Sequence, residues 1–238
     1  MNFNFSEARD ELHNLLDILV NQLHFPIWSS EEDFYEWFDD HSDENREKVG
    51  WAYGCTRLVF WDPNRCDYVF KMNLPNTTIN YSSSEAYIYG KACEEGVGEW
   101  FASAYFLERI AYKGVFKSIY VMEYCSVNEE ELVSNVYDSA IRSYCASRNI
   151  DWDNISDEDY DEVTRSIDYC ECSTESEVEK YLRATFSDSS DLFVFLRKYG
   201  VNDTHSGNWG WNHLGHLVLL DYGGYKIDLR KENSNERN

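Results

Sequence analysis

The chain opens with a helical pattern of apolar residues. Within residues 6–24, apolar side chains recur at helical spacing, at positions 8, 12, 15, 16, 19 and 23. Ser6 stands where an N-cap belongs and Pro26 follows the segment, so we predict a helix over this range. A second short helix is predicted within the acidic stretch 29–48.

The pattern then changes to short strands. Residues 57–62 and 67–74 are rich in strand-forming residues and flank the turn formers Pro63-Asn64, which predicts a hairpin. A helix over 83–95 and a buried strand over 118–124 are predicted next.

The second half of the chain is predicted to be mostly helical. Residues 126–180 have helical character and are strongly acidic over 151–179, which predicts an exposed insertion there. Residues 188–199 predict a core-facing helix, and Gly200 stands where a glycine ends such a helix.

Two further short strands suggest a site. If residues 209–211 and 217–220 pair as an antiparallel hairpin, Asn208 and Asp221 lie side by side where the chain enters and leaves it. Asp203 precedes Asn208 by five residues, in the loop after the helix. Carboxylate and amide oxygens suit hard cations, so the sequence predicts a magnesium site at this edge.

The charge of the chain restricts its partners. A formal net charge of −23 argues against nonspecific binding to nucleic acid phosphates or to anionic membranes. It permits a protein partner of basic charge, or a surface that imitates the charge of DNA. The simpler alternative is that the acidic surface serves solubility.

The apolar segments, the N-terminus and the cysteines all bear on the cellular compartment of the protein. No apolar run approaches the roughly 20 residues that cross a bilayer. The N-terminus has no basic patch before an apolar stretch. The seven cysteines have no disulfide-framework spacing, and Cys170 and Cys172 form the closest pair without a zinc pattern. We therefore expect a cytoplasmic protein.

The motifs around the second hairpin resemble a known family. The run D-T-H-S-G-N at 203–208, followed by L-V-L-L-D-Y-G at 217–223, resembles the catalytic and metal loops of the protein kinase-like superfamily. The resemblance implies that Asp203 orients an acceptor hydroxyl while Asn208 and Asp221 hold Mg²⁺. The Asp-x-His-x-x-Asn form, with His205, is most similar to the aminoglycoside and choline kinase branch.

The sequence departs from protein kinases at two points of these loops. The His-Arg pair that precedes the Asp in protein kinases is here Val201-Asn202, and the usual Phe is Tyr222. These departures bear on specificity for protein substrates more than on metal binding.

Upstream motifs appear in the order of the same family. Lys71 lies in Y-V-F-K-M, which resembles the strand whose lysine contacts nucleotide phosphates. Glu85, on the following helix, is its predicted partner. Ser82-x-x-Glu85 is also a capping-box pattern, and Glu94 and Glu95 are alternative partners one helix length on.

Two weaker features complete the resemblance. Gly50 and Gly54 could form a loop over the phosphates, where backbone N–H groups approach if side chains are absent. Glu123 and Tyr124, within M-E-Y-C, resemble the hinge that binds adenine through its backbone. The resemblance spans residues 50–125 and 190–224.

The resemblance implies an α+β fold of two lobes. We expect an N-terminal helical extension over 1–48, an N-lobe of antiparallel strands with its hinge over 49–125, and a reduced helical C-lobe over 126–238. The C-lobe contains the acidic insertion 151–179. Only 17 residues follow Asp221, so we expect it to lack the segments that organise peptide substrates in protein kinases. A reduced kinase-like fold of this kind resembles small bacterial and phage proteins.

The predicted function is that of a kinase-like phosphotransferase that uses ATP and Mg²⁺ on an acceptor that the sequence does not name, with proteins among the candidates. One alternative is a nucleotide-binding pseudokinase that inhibits or binds a cellular protein, such as a component of host defence against phage. Another is an acidic decoy that imitates DNA. Nucleotidyl transfer is also open, because the same metal ligands could serve it.

Overall fold

The fold combines a β-sheet with helices. The computed structural model describes residues 3–26, 31–40, 47–54, 56–65, 67–74, 77, 80–112 and 115–223. That part of the chain forms seven α-helices and seven β-strands, so the α+β prediction is confirmed. The chain divides into two compact units: a sheet unit of Met1–Lys91 and Ala102–Tyr124, and a helical unit of Ala92–Phe101 and Cys125–Asn238.

The sheet unit is built on five antiparallel strands in the order β1-β2-β3-β5-β4. Their bounds are β1 Gly50–Tyr53, β2 Arg57–Trp61, β3 Tyr68–Asn73, β4 Ala104–Tyr112 and β5 Val115–Glu123. The predicted hairpin is confirmed as β2 and β3, and the predicted strand over 118–124 belongs to β5. In β3, Lys71 pairs with Val59 on one side and with Tyr120 on the other.

Three helices begin in the sheet unit: α1 Phe5–Asp17, α2 Glu31–Asp40 and α3 Tyr81–Glu94. The chain continues from α1 as a π-helical turn over Ile18–Gln22. The N-cap of α1 is Asn4, whose side chain accepts a hydrogen bond from the Glu7 N–H at 3.3 Å. The prediction of Ser6 as the cap was therefore wrong, because Ser6 already lies inside the helix.

The core of the sheet unit joins α1, α2 and the sheet. Leu12 and Leu19, from the first helical segment, pack in one cluster with Phe60 and Phe70 of the central strands. The Trp37 indole of α2 belongs to this cluster, and its Nε1–H donates to the Leu23 carbonyl at 2.9 Å. Burying this many aromatic and aliphatic side chains supplies the main driving force for folding.

The helical unit contains four further helices and a two-stranded sheet. Their bounds are α4 Glu129–Arg148, α5 Asp157–Ser166, α6 Glu175–Thr185, α7 Ser189–Tyr199, β6 Trp209–Trp211 and β7 Leu217–Leu219. Gly200 follows α7 with φ +70°, a conformation that glycine adopts without strain, so its predicted position is confirmed. Strands β6 and β7 form the predicted antiparallel hairpin.

The acidic stretch 151–179 is attached to the core of the helical unit. Most of its described side chains are exposed, but Val163 packs with Ile141 and Cys145 of α4 in a small hydrophobic cluster. Val178 is buried as well. The apolar residues between the acidic ones therefore pack this segment against α4.

Two expectations from the sequence concern membrane-spanning segments and cysteines. No helix in the described ranges is long and apolar enough to cross a membrane. The cysteines at 93, 125, 145, 170 and 172 are free thiols, and Cys55 and Cys66 lie outside the described residues.

Candidate functional site

The structure brings Lys71 and Glu85 together inside the sheet unit. The Lys71 Nζ lies 3.1 Å from each carboxylate oxygen of Glu85. Strand β3 carries the lysine and helix α3 carries the glutamate, and their side chains are only 9% and 1% exposed. Because a buried charge is costly without a partner, each residue stabilises the other.

Glu85 is not part of a capping box at the start of α3. The Asn80 side chain accepts a hydrogen bond from the Ser83 N–H at 3.0 Å, so Asn80 caps α3 and Ser82 lies inside the helix. Glu85 thus lies beyond the first turn, and its carboxylate faces cations. The two glutamates one helix length on are placed differently: Glu95 contacts the Lys198 Nζ at 2.7 Å, within the helical unit, and Glu94 is exposed.

Sequence reasoning missed a third member of this cluster, Arg57. Its Nη1 lies 2.7 Å from the Glu85 Oε1, and its side chain is 11% exposed. The register pairs Arg57 with Asn73 and Val59 with Lys71, so period-two alternation puts Arg57 and Lys71 on the same face of the sheet. The sequence shows the alternation within each strand. The register of the hairpin is then needed to place Arg57 and Lys71 on one face.

The two glycines of the predicted phosphate loop have different surroundings. Gly50 begins β1, and a Cβ built there would come within 2.7 Å of three atoms of the Trp61 ring, so packing alone requires glycine. Gly54 lies in the turn to β2, where its N–H donates to the Arg57 carbonyl at 3.0 Å. Of the two, only Gly54 is in a turn with open space at its Cα.

The predicted adenine-binding residues have their backbone N–H groups in use. The Glu123 N–H donates to the Ser103 carbonyl at 2.9 Å, and the Tyr124 N–H donates to the Asp67 carbonyl at 3.1 Å. The Glu123 carboxylate is buried and accepts from the Ser103 hydroxyl at 3.4 Å. Contact of these N–H groups with adenine would require both backbone bonds to break, and the role stays a prediction.

In the helical unit, the hairpin positions Asn208 close to Asp221. Trp209 pairs with Leu219, and the Leu220 N–H donates to the Asn208 carbonyl at 2.8 Å. The residue opposite Asn208 is therefore Leu220, and Asp221 is one position further along. The sequence predicted this neighbourhood correctly but misplaced the register by one residue.

Side chains hold the loop before the hairpin in place. The Asn208 Nδ2 donates to the Asp203 carbonyl at 2.9 Å, and the Trp209 Nε1 donates to the Thr204 carbonyl at 3.0 Å. The buried Ser206 hydroxyl donates to the Glu129 carboxylate at 2.7 Å, which joins the loop to α4. These bonds fix the backbone while the Asp203 carboxylate remains 44% exposed.

His205 lies next to that carboxylate. The Gly207 N–H donates to the His205 Nδ1 at 3.1 Å, so the proton of the neutral ring belongs on Nε2. The Nε2 lies 3.6 Å from the Asp203 Oδ1. The imidazole thus presents its N–H side toward the carboxylate.

The predicted magnesium ligands form a sparse set. Among the described residues, no three His, Cys, Asp or Glu side chains converge on one point. Asn208 uses its Nδ2 for Asp203, and within the described ranges its Oδ1 accepts no hydrogen bond, which leaves that oxygen for a cation. One amide oxygen and the Asp221 carboxylate suit Mg²⁺ when phosphate oxygens and water complete the coordination.

Comparison with known proteins gives little further information. No protein-family model matches the chain, and no curated protein matches its sequence. Among solved structures, the bifunctional kinase-methyltransferase WbdD is similar at 15% identity and a TM-score of 0.29. The match covers 76% of this chain and about a third (33%) of that protein.

Proposed function

We propose that this chain is a kinase-like phosphotransferase that transfers a phosphoryl group from ATP·Mg²⁺ to an acceptor hydroxyl. The observation that carries the proposal is the buried contact of Lys71 with both oxygens of Glu85, at 3.1 Å. The kinase-like resemblance predicts these two residues, 14 positions apart in the chain, as partners. A buried ion pair often contributes little net stability, because the cost of removing both charges from water offsets their attraction. The presence of this pair therefore favours a functional role for it.

In this proposal the sheet unit contributes phosphate binding. Lys71 contacts phosphate oxygens, and Glu85 holds its ammonium group in the orientation that this contact needs. Gly54 provides a turn where a phosphate can approach the backbone. Glu123 and Tyr124 are the proposed residues for adenine.

The helical unit contributes the metal ligands and the acceptor site. The Asn208 Oδ1 and the Asp221 carboxylate are the proposed ligands. Bound Mg²⁺ would offset the negative charge of the phosphates. Asp203 orients the acceptor hydroxyl and takes up its proton, which its exposed carboxylate and the fixed loop backbone support. His205 directs its Nε2 toward the Asp203 carboxylate, 3.6 Å from the Oδ1, and would favour the ionised form of that carboxylate when the imidazole is protonated.

A pseudokinase is the second candidate, and one observation favours it. The Arg57 Nη1 contacts Glu85 at 2.7 Å, closer than the Lys71 Nζ at 3.1 Å. Glu85 would then have a structural partner already, and the cluster could hold the sheet to α3 without any part in transfer. Nucleotide binding and transfer must therefore be measured separately.

The test uses two isosteric variants of the full chain. ATP with Mg²⁺ should raise the melting temperature, because a ligand that binds the native state stabilises it. Asp221→Asn should remove most of this shift. Asp203→Asn should keep the shift but reduce transfer about 100-fold or more, in line with general-base contributions of about 10²–10⁴. Asp10→Asn, at an exposed position of α1, is the matched control and should change neither.

Transfer is read with γ-labelled and α-labelled ATP in cell lysate. Label from the γ position alone indicates phosphoryl transfer, and label from the α position indicates nucleotidyl transfer. A melting shift without transfer of either label would establish the pseudokinase. No melting shift at millimolar ATP and Mg²⁺ would overturn both candidates.

A further inference from the structure

The helical unit contains a cavity that the proposed function does not use. Its volume is about 310 Å³, close to the lower limit of pockets for small ligands, about 300 Å³. Aromatic side chains form much of its wall: Trp100, Tyr181, Phe186 and Trp211. Asp203, Asn208 and Asp221 are not among its lining residues.

Contacts within the helical unit hold three of the four aromatic residues of the wall. The Trp211 N–H and carbonyl each bond to Ser126 at 2.9 Å, and Trp211 pairs with Leu217 in the hairpin. The Trp100 and Phe186 rings meet edge to face with centroids 5.4 Å apart. The fixed main chain of Trp211 and the mutual contact of the Trp100 and Phe186 rings limit the freedom that these residues lose when a ligand binds, which favours affinity.

The electrostatics of the cavity favour a cation. Glu99 and Asp188 line it, and neither carboxylate forms an ion pair with any residue in the described ranges. Asp188 precedes α7 without a side-chain capping bond, so its carboxylate is not used by the helix. Among the described residues of its lining there is no Lys or Arg, and His216 is the one basic side chain. Aromatic faces are negative as well, so walls and carboxylates attract the same kind of ligand.

A shallow groove continues from the cavity along α4 and α6. Asn135 and Tyr181 line both the cavity and the groove. The groove then runs over polar residues of α4, including Asp138, Ser139 and Arg142. An extended peptide whose side chain fills the cavity would have room for its flanking backbone in this groove.

We propose that the cavity binds the guanidinium group of an arginine in a partner protein, with the neighbouring peptide lying in the groove. A guanidinium is planar, stacks on aromatic rings and is less strongly hydrated than an ammonium group, so it enters an aromatic cavity more readily. It also offers paired N–H donors to the carboxylates of Glu99 and Asp188. The acidic charge of the chain draws basic partners toward it.

The test measures binding of a capped Gly-Gly-Arg-Gly-Gly peptide to the full chain, without nucleotide, by calorimetry. The control peptide has citrulline in place of arginine, which keeps the shape of the side chain and removes its charge. We expect the arginine peptide to bind at least about 10-fold more tightly, the effect of one strong cation–π contact or charged hydrogen bond. N-acetylarginine amide should bind more weakly than the peptide.

Charge variants test whether the binding is local. The double variant Glu99→Gln, Asp188→Asn should weaken the arginine peptide about 10-fold or more. The matched double variant Asp10→Asn, Glu171→Gln removes the same charge from exposed positions outside the cavity and should leave affinity within about 2-fold. Trp211→Leu, with its melting temperature checked, should also weaken binding.

Three results would overturn the proposal. The first is equal affinity for the arginine and citrulline peptides, or no binding of either. The second is equal loss of affinity in the two double variants, which would indicate nonspecific attraction. The third is equal affinity for N-acetylarginine amide and the peptide, which would assign the cavity to a free guanidinium compound. Because ATP is absent throughout, failure here leaves the phosphotransferase proposal untouched.

Discussion

The two groups of candidate site residues are held in opposite ways. In the sheet unit, Lys71, Arg57 and Glu85 hold one another through charge, and their side chains are at most 11% exposed. In the helical unit, the Asp203 carboxylate and the His205 ring are both 44% exposed. Hydrogen bonds between neighbouring backbone and side-chain groups determine the shape of that loop.

Because of this difference, a substitution in the first group mainly changes the stability of the fold, whereas a substitution in the second mainly changes function. Removing one partner from a buried ion cluster leaves an uncompensated charge in a medium of low dielectric constant, which is very unfavourable. Changing an exposed carboxylate such as Asp203 leaves the fold nearly intact, because water solvates the position in either case. Variants of the buried cluster therefore test stability first, and variants of the loop can test function cleanly.

The largest expected effect is that of Glu85→Gln. The change leaves Lys71 and Arg57 together without their shared carboxylate, so we expect the free energy of unfolding to fall by about 3–5 kcal/mol. Urea denaturation followed by tryptophan fluorescence measures it. Glu95→Gln is the control, since Glu95 contacts an exposed lysine, and should cost about 1 kcal/mol or less.

A loss of only about 1 kcal/mol in Glu85→Gln would contradict the view that the cluster is a buried ionic unit. Lys71→Met and Arg57→Met then show which cation Glu85 requires. If Arg57→Met destabilises the protein strongly and Lys71→Met does not, arginine is the structural partner and lysine is left for a ligand.

The next effect concerns Glu11, a buried glutamate of the sheet unit. Its cationic partner, Arg65, is more distant than the cationic partners of Glu85. The Arg65 Nη1 lies 3.5 Å from its Oε2, and burial raises the pKa of Glu11 to about 7, although Arg65 acts in the opposite direction. The folded protein then binds a proton at Glu11 that the unfolded chain releases above about pH 4.5. Stability from this group is therefore present below that pH and lost as the pH rises to about 7.

Glu11→Gln should remove this pH dependence. In the unmodified chain we expect Glu11 to lower the free energy of unfolding by about 2–3 kcal/mol between about pH 4.5 and pH 7, and the variant should lack that decline. Urea denaturation across this range measures the slope. Asp10→Asn, one residue earlier and exposed, should retain it. An unchanged slope in Glu11→Gln would show that Glu11 is ionised in the folded protein.

The smallest of the three effects belongs to the helical unit. Ser206→Ala removes a buried hydroxyl that donates to the Glu129 carboxylate at 2.7 Å. Hydrogen bonds to charged groups contribute about 1.5–3 kcal/mol, so a loss within that range is expected. Ser173→Ala, whose hydroxyl bonds to a backbone carbonyl at an exposed position, should cost less. Equal losses would mean that the loop is not anchored through Glu129.

Local patterns in the sequence determined much of the fold. The helical spacing before Pro26, the alternation on either side of Pro63-Asn64 and the glycine after α7 each act over a few residues, and each predicted its element. The pair Lys71 and Glu85 was predicted from the resemblance of this strand and the helix after it to those of the kinase-like superfamily, and the two side chains do meet.

The tertiary structure decided the features that depend on distant neighbours. Arg57 joins Glu85 only because β2 lies beside β3, and Gly50 is required only because the Trp61 ring packs against it. The aromatic cavity combines residues from 99 to 217, which no local pattern relates. Periodicity and capping are short-range effects, whereas shared charges, close contacts and cavities arise when segments far apart in the chain pack together.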